Sequence, residues 1–207
     1  MMAALDLFCG GGGASLGLKR AGFEVTGVDH IRQREYPYDF WLSDVLTLSP
    51  HILRVFDLIW ASPPCQQYSK LKFFYRGKIY PELLEKTKTL LIESGRPFVI
   101  ENVVGAPLRR DLLLCGKMFG LKIYRHRIFE IHGFKVPQLE HLKHRHRIGM
   151  SGYRDITGRN FKLSDAQEVM RLRHIRDCYT ISQAIPPAYS RYIALKFLES
   201  IKGGNHG

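Results

Sequence analysis

The chain reads Asp6-Leu7-Phe8-Cys9-Gly10-Gly11-Gly12-Gly13-Ala14-Ser15 close to its N-terminus. This glycine loop follows an apolar run that predicts a first strand, Ala3–Phe8, and it opens a predicted helix, Ala14–Ala21. In open α/β sheets, ligands of the nucleotide type bind at the turn between such a strand and helix. Since glycine has no Cβ, four glycines in a row allow a ligand to lie directly against the backbone.

The glycine loop and the next acidic residue together indicate a cofactor that contains a nucleoside. A dinucleotide fingerprint needs Gly-x-Gly-x-x-Gly, but from Gly10 onward the last position is Ser15, and the Lys-Ser/Thr of a P-loop is missing. Asp29 comes at the end of a second predicted strand, Glu24–Val28, where a carboxylate can accept hydrogen bonds from ribose hydroxyls. A structural tight turn is the alternative explanation of the loop.

Apolar runs bounded by glycine or proline alternate with amphipathic stretches through the first two-thirds of the chain. This pattern is typical of βα units and predicts an α/β fold with a mostly parallel sheet. The further predicted strands are Phe56–Trp60, Pro97–Ile100, Lys122–Tyr124 and Ile128–Ile131. The further predicted helices are Pro81–Ser94, Leu112–Phe119, Ser164–Leu172 with Ser164 as N-cap, and Pro187–Ile201.

Size, charge and cysteine usage limit the class of protein. The 207 residues suit one domain, and no apolar run approaches the ~20 residues of a membrane span, so we expect a soluble, cytoplasmic protein. Of the net charge of +12, residues 101–207 carry +10 (19 Lys and Arg against 9 Asp and Glu), which indicates a nucleic acid partner or, alternatively, only a basic surface. The cysteines form no Cys-x-x-Cys pair, which argues against disulfides and against a cysteine zinc site. They are Cys9, Cys65, Cys115 and Cys178.

Two polar segments follow predicted strands at the same edge of the sheet as the glycine loop. In Ser62-Pro63-Pro64-Cys65-Gln66, prolines stiffen the approach to one cysteine. An accessible thiolate there is a candidate nucleophile, whereas a lone cysteine is more often a small buried hydrophobe. Glu101, in Glu101-Asn102-Val103, ends another strand. Burial of a carboxylate there costs free energy of desolvation, which indicates that the group has a function. A helix cap or a pairing with arginine is the alternative for Glu101.

Taken in order, six segments resemble the motifs of the cytosine-C5 DNA methyltransferases, and the resemblance spans nearly the whole chain. The glycine loop resembles the family's cofactor loop, Pro64-Cys65-Gln66 its nucleophile motif, and Glu101-Asn102-Val103 its Glu-Asn-Val motif. The later segments are Arg125-His126-Arg127 for Arg-x-Arg, Leu163-Ser164-Asp165-Ala166-Gln167-Glu168 for Leu-Thr-x-x-Glu, and Gln183-Ala184-Ile185-Pro186-Pro187 for Asn-Ala-Val-Pro-Pro.

The resemblance implies a Rossmann-like methyltransferase fold, with helices on both faces of the sheet, and S-adenosylmethionine as cofactor. The residues that would bind this cofactor are Phe8, Gly10 and Gly12 on its methionine part, Asp29 on the ribose, Asp44 on the adenine amine, His30 and Ile31 against the adenine, and Pro64 beside the nucleophile. Ordinary packing at a helix start is the alternative for His30 and Ile31.

The resemblance also implies the reaction, which is methyl transfer to carbon 5 of cytosine in DNA. Carbon 5 is a poor nucleophile, so Cys65 would first add to carbon 6 of a base that has swung out of the duplex. Glu101 would support ring nitrogen 3 and the exocyclic amine, and Arg125 and Arg127 would orient the base and favour the thiolate. Methylation of RNA, or a non-catalytic DNA-binding subunit of a methyltransferase complex, is the alternative function; the broken fingerprint disfavours a nicotinamide dehydrogenase.

One segment departs from the family pattern, because the target-recognition region is reduced to residues 132–162. We therefore expect a catalytic core at 1–134, a short basic insert at 135–162 and C-terminal helices at 163–207 that complete the core. The predicted consequence is a short or relaxed sequence specificity, or a separate partner that reads the sequence. No metal site is assigned to the insert's histidines, because they lack companion cysteines and a regular ligand spacing. Ser182-Gln183 replaces the family's Gly-Asn, which affects the docking of the last helix.

Overall fold

A computed structural model of the chain describes residues 1–64, 83–141, 143–144, 151–158 and 160–204. Its strands are β1 (Ala3–Leu7), β2 (Glu24–Asp29), β3 (Asp39–Leu42), β4 (Leu58–Ala61), β5 (Phe98–Asn102), β6 (Leu112–Leu114) and β7 (Arg127–His132). Its α-helices are α1 (Gly13–Arg20), α2 (Pro50–Leu53), α3 (Leu83–Ser94), α4 (Leu163–Met170), α5 (Cys178–Gln183) and α6 (Pro187–Gly204). None of the helices in these ranges is long and apolar enough to cross a bilayer.

The strands form one sheet in the order β3-β2-β1-β4-β5-β7-β6. β7 runs antiparallel to both of its neighbours, and the other pairings are parallel. The carboxyl ends of β1, β2, β4 and β5 therefore meet at one edge, where parallel sheets bind their ligands. The predicted α/β fold with a mostly parallel, Rossmann-like sheet is confirmed.

Successive side chains of each strand point to opposite faces of the sheet, so the core is divided between the two faces. In β1, Ala4 packs with Leu18 of α1 and Tyr189 of α6, whereas Leu5 packs on the other face with Leu91 of α3. All five are buried. Each fully buried leucine contributes about 1.5–3 kcal/mol relative to exposure. Helices cover both faces, as predicted.

Two sequence predictions in the region before β7 are wrong. Leu112–Phe119 is not one helix: Leu112–Leu114 is strand β6, and Gly116–Phe119 is a short 3-10 helix. Leu112 and Leu114 are buried and the residue between them is half-buried, because β6 pairs with β7 at the edge of the sheet. Lys122–Tyr124 is not a strand, since the Tyr124 carbonyl accepts the amide of Gly116 (2.8 Å) instead of a sheet partner.

Smaller corrections concern element ends and one missed strand. α4 begins at Leu163 with Lys162, not Ser164, at the N-cap position, because the Lys162 carbonyl accepts the first helical amide. β3 was not predicted, because it is an edge strand with Trp41 and Leu42 exposed and has no buried apolar pattern. The remaining predicted strands agree within about two residues at each end, and α3 is described from Leu83 onward.

The C-terminal helix packs closely on the helix that follows the glycine loop. A Cβ at Gly17 of α1 would overlap with the Ser190 hydroxyl and the Pro187 carbonyl of α6. The Ser190 hydroxyl donates to the Ala14 carbonyl at 2.8 Å. The absence of a side chain at Gly17 is therefore what lets α6 lie against α1. The division into residues 1–134, 135–162 and 163–207 stays a prediction.

Candidate active site

A cavity of about 220 Å³ opens at the carboxyl edge of the sheet. Its walls come from the glycine loop, the end of β2, the segment after β4, the end of β5, the start of β7 and helix α5. The predicted site residues among its lining are Phe8, Gly10, Asp29, His30, Ile31, Pro64, Glu101 and Arg127. The structure thus gathers cofactor-binding and catalytic candidates from distant parts of the chain around one space.

The glycine loop makes its sharp turn with several residues in the left-handed backbone region. Gly10 and Gly12 have φ values of 49° and 81°, and Phe8 adopts a φ of 59°, which is unfavourable for a residue with a side chain. Gly12 precedes α1 and packs against the ring of Tyr36, so it supports the loop from behind and is not part of the cavity lining.

Asp29 is held in place at the end of β2. One carboxylate oxygen accepts the Gly10 amide (3.0 Å), and the other accepts the Ile31 amide (3.0 Å) and lies 3.3 Å from Nδ1 of His30. A carboxylate has about four acceptor positions, so further hydrogen bonds from a ligand's hydroxyls remain available. His30 and Ile31 are exposed beside it and offer a surface for a flat ring.

Glu101 and Arg127 form an ion pair on neighbouring strands. Nε of Arg127 lies 2.8 Å from Oε1 of Glu101, and both side chains are largely buried. The next residue, Asn102, donates to the Pro63 carbonyl (3.0 Å) and accepts the Val103 amide (2.9 Å). Asn102 therefore connects the end of β5 to the segment that leads into the predicted nucleophile loop.

Cys65 itself lies outside the described residues. Pro63 and Pro64, which precede it directly, line the cavity. Besides Gly12, two of the predicted site residues that the structure describes do not line the cavity. Arg125 donates to the Ser182 carbonyl (2.5 Å) on α5, and Asp44 is exposed and accepts the Leu46 amide (3.0 Å) as the cap of a 3-10 helix.

Sequence reasoning missed Asp6, which lines the cavity from β1. Its carboxyl group is buried and accepts the Ser15 hydroxyl, which also lies 2.8 Å from the Tyr36 hydroxyl. Burial, with smaller contributions from the charges of Asp29 and Glu101, raises the pKa of Asp6 to about 7. An acidic residue inside an apolar strand is costly, and that cost was the signal that could have revealed it.

Helix α5 supplies a wall of the cavity that the motifs did not predict. Tyr179, Thr180 and Gln183 line it. Cys9 of the glycine loop also lines the cavity, and burial and the nearby carboxylates of Asp6 and Asp29 raise the pKa of its thiol, which disfavours the reactive thiolate.

Comparison with known proteins agrees with this arrangement. The sequence model of the C-5 cytosine-specific DNA methylase family matches residues 2–106, which is half of the chain. The chain belongs to this family. Proteins of the family use S-adenosylmethionine, and the residues present fit that cofactor. Asp29 suits a ribose, the glycine backbone suits close approach, and the described residues of the lining include no cluster of lysines for a phosphate chain.

Two curated relatives are bacterial type II methyltransferases. M.FnuDI of Fusobacterium nucleatum is 30% identical over 127 residues, which cover 53% of this chain and 35% of the relative. M.AplI of Arthrospira platensis is 36% identical over 73 residues, which cover 33% and 21%. The match thus covers about a third or less of the length of these relatives.

One solved structure resembles the chain over almost its whole length. The methyltransferase EhMeth of Entamoeba histolytica superposes with a TM-score of 0.61 and covers 97% of this chain and 99% of its own, at 10% identity. At that identity the likeness shows the fold alone, and it confirms the Rossmann-like methyltransferase architecture.

Proposed function

We propose that the chain transfers a methyl group from S-adenosylmethionine to carbon 5 of cytosine in DNA, with Cys65 as a covalent nucleophile and the target base flipped out of the duplex. The observation that supports this most is the pairing of Glu101 with Arg127 at 2.8 Å inside the cavity that Gly10 and Asp29 also line. An acid, a guanidinium and a nucleoside-type site around one space are the groups that this reaction needs.

The cofactor would lie along the glycine loop and supply a methyl group bonded to a positively charged sulfur. Phe8 and Gly10 would contact its methionine part, and Asp29 would accept hydrogen bonds from the ribose. His30 and Ile31 would cover the adenine. Asp44, which lies outside the cavity lining, would accept a hydrogen bond from the adenine amine, and Gly12 would support the loop beside Tyr36.

The chain's own groups account for activation of the base. The Cys65 thiolate adds to carbon 6 of cytosine, and the electron pair moves towards ring nitrogen 3. Glu101 accepts a hydrogen bond from the exocyclic amine and shares a proton with nitrogen 3, while Arg127 keeps the Glu101 carboxyl in position. Carbon 5 would then take the methyl group, with S-adenosylhomocysteine as the leaving group, and give up its proton to water. The electron pair of that C–H bond would form the C5–C6 double bond and expel the Cys65 thiolate, which restores the aromatic ring.

Arg125 acts differently from Arg127 in this proposal. Its guanidinium donates to the Ser182 carbonyl and so connects the start of β7 to helix α5, which forms a wall of the cavity. Arg125 would therefore position the base through α5. The basic residues of the second half would contact phosphates and offset the few kcal/mol that base flipping costs.

Trapping with a fluorinated base tests the proposal. The protein is incubated with S-adenosylmethionine and duplex DNA that contains 5-fluorocytosine, which cannot lose a proton from carbon 5. We expect a covalent complex that survives denaturation, is absent in Cys65→Ser and persists in the control Cys178→Ser. A complex with fluorinated RNA but not with DNA would overturn the DNA substrate, and trapping by Cys65→Ser would overturn the nucleophile.

A further inference from the structure

Four possible metal ligands meet outside the cavity, on the side of the sheet edge where the basic insert begins. They are Cys115, His126, His141 and His144, and their ligand atoms all lie within 4.8 Å of one another. The Cys115 sulfur lies 3.3 Å from Nε2 of His144, and Nε2 of His126 lies 2.9 Å from Nε2 of His141. Neither the family match nor the proposed reaction uses these residues.

We propose that these four side chains bind Zn²⁺ as a structural site. Tetrahedral zinc holds sulfur at ~2.3 Å and nitrogen at ~2.0–2.1 Å, which places its ligand atoms ~3.3–3.6 Å apart. The 3.3 Å separation lies within that range and the 2.9 Å separation lies just below it. The others, all within 4.8 Å, would shorten by rotation of the exposed His141 and His144 rings. One thiolate and three imidazoles form a donor set that zinc prefers, and four protein ligands leave no open position for catalysis.

The surroundings of the cluster suit a fixed site. Cys115 is buried directly after β6, and His126 directly precedes β7. The ring of His144 stacks on Tyr124 (centroids 3.8 Å apart), and Tyr124 stacks in turn on Tyr153 (4.7 Å). Such packing sets the orientation of a ligand ring and excludes water from one side of a metal.

The sequence alone pointed away from a metal here, since no cysteine stands near the insert's histidines. The fold supplies the missing thiol, because pairing of β6 with β7 brings Cys115 beside His126. His141 and His144 come from the insert, three residues apart. Zinc would therefore attach the insert to β6 and β7, next to Arg125 and Arg127. The metal would hold His141 and His144 of the insert against the start of β7.

Metal content and affinity test the proposal directly. The full chain is loaded with Zn²⁺, desalted and analysed for metal, and its affinity is measured by competition with a chromophoric chelator. We expect one zinc per chain. Removal of a residue that only hydrogen-bonds to a metal ligand lowers metal affinity about 10–100-fold. Removal of a ligand itself costs more, so His141→Gln and His144→Gln should each weaken zinc binding by at least ~100-fold. Both residues are exposed, so these variants are expected to fold.

Two matched controls and a second readout complete the test. His51→Gln and Cys178→Ser remove an exposed histidine and a partly exposed thiol elsewhere and should leave zinc binding unchanged. Co²⁺ in place of zinc should give a thiolate-to-metal absorption band that Cys115→Ser abolishes. Failure to retain zinc after loading, or equal affinity in the wild type and His144→Gln, would overturn the site. Neither readout depends on methyl transfer, so the reaction and the metal site can fail separately.

Discussion

Glu101 and Arg127 depend on each other because both are largely removed from water. Transfer of a carboxylate or guanidinium out of water costs several kcal/mol, and an opposite charge at 2.8 Å offsets much of this cost. Removal of either partner leaves the other charge buried and unpaired. The pair therefore constrains the orientation of Glu101 more than it contributes net stability, and orientation is what a group that binds a base requires.

The first prediction concerns the carboxyl group at this position. Glu101→Gln keeps the size of the side chain and can still accept from the exocyclic amine, but it cannot share a proton with nitrogen 3. We expect kcat for methyl transfer to fall by about 10²–10⁴-fold, the usual contribution of general acid–base catalysis, with the Kd for S-adenosylmethionine nearly unchanged. Radiolabelled methyl transfer and calorimetric titration measure the two quantities. Wild-type kcat in Glu101→Gln would contradict the assigned role.

The second prediction follows from the buried carboxyl of Asp6. Its pKa in the folded chain is about 7, against 3.8 for the ordinary group, so the folded state keeps this proton to higher pH than the unfolded state. The contribution of Asp6 to the free energy of unfolding therefore falls as pH rises from about 4 to about 7. Asp6→Asn stays neutral, so its stability relative to wild type should increase across that interval.

Urea denaturation of the cofactor-free protein at a series of pH values checks this prediction for Asp6. Oδ1 of Asp6 has no hydrogen-bond partner among the described residues. The amide NH2 group that Asp6→Asn places at this position would therefore replace an atom that makes no hydrogen bond. Asp57→Asn, at a half-buried carboxylate paired with Arg96, is the control and should lack the same increase. A difference between Asp6→Asn and wild type that is constant with pH would contradict the predicted titration.

At the scale of elements, the sequence predicts what depends on local pattern and fails where tertiary contacts decide. The glycine loop, Asp29 and Glu101 could be predicted to meet at one cavity because each lies at the end of an apolar strand, at the ligand edge of the sheet. Leu112–Leu114 could equally be helix or strand, and only pairing with β7 decides it. The approach of Cys115 to His126 likewise depends on that pairing, so no spacing rule predicts it.

The third prediction concerns the contact between α1 and α6. Gly17→Ala would introduce a methyl group that overlaps with Ser190 and the Pro187 carbonyl. Overpacking of this kind costs about 1–3 kcal/mol, so the midpoint of urea denaturation should fall. Gly203→Ala is the matched control, because it is also a helical glycine and a Cβ there meets nothing within 4 Å. Equal midpoints for Gly17→Ala and wild type would show that α6 moves away at little cost.

At the scale of the whole molecule, most of the net positive charge and most of the proposed cofactor-binding residues lie in different halves of the sequence. The residues around the proposed cofactor come mainly from the first half, whereas residues 101–207 carry +10 of the net +12. From that basic half, Arg127 and residues of α5 line the cavity. The proposed zinc site would fix the insert on the same side. A nucleic acid bound to these basic residues would therefore lie close to Glu101, the residue proposed to bind the flipped cytosine.

The last prediction tests whether the insert contacts phosphates. Each phosphate that a cation neutralises adds about −0.9 to the slope of log K against log salt concentration for duplex DNA. Arg145→Gln combined with Arg147→Gln should therefore make that slope about 1.8 units shallower and leave affinity for S-adenosylmethionine unchanged. Arg54→Gln combined with Lys86→Gln removes the same charge from exposed positions on the α2 and α3 side and should leave the slope as it is. Fluorescence anisotropy over a range of salt concentrations measures the slope for both double variants. If the two double variants gave the same slope, the insert would not contact phosphates through these arginines.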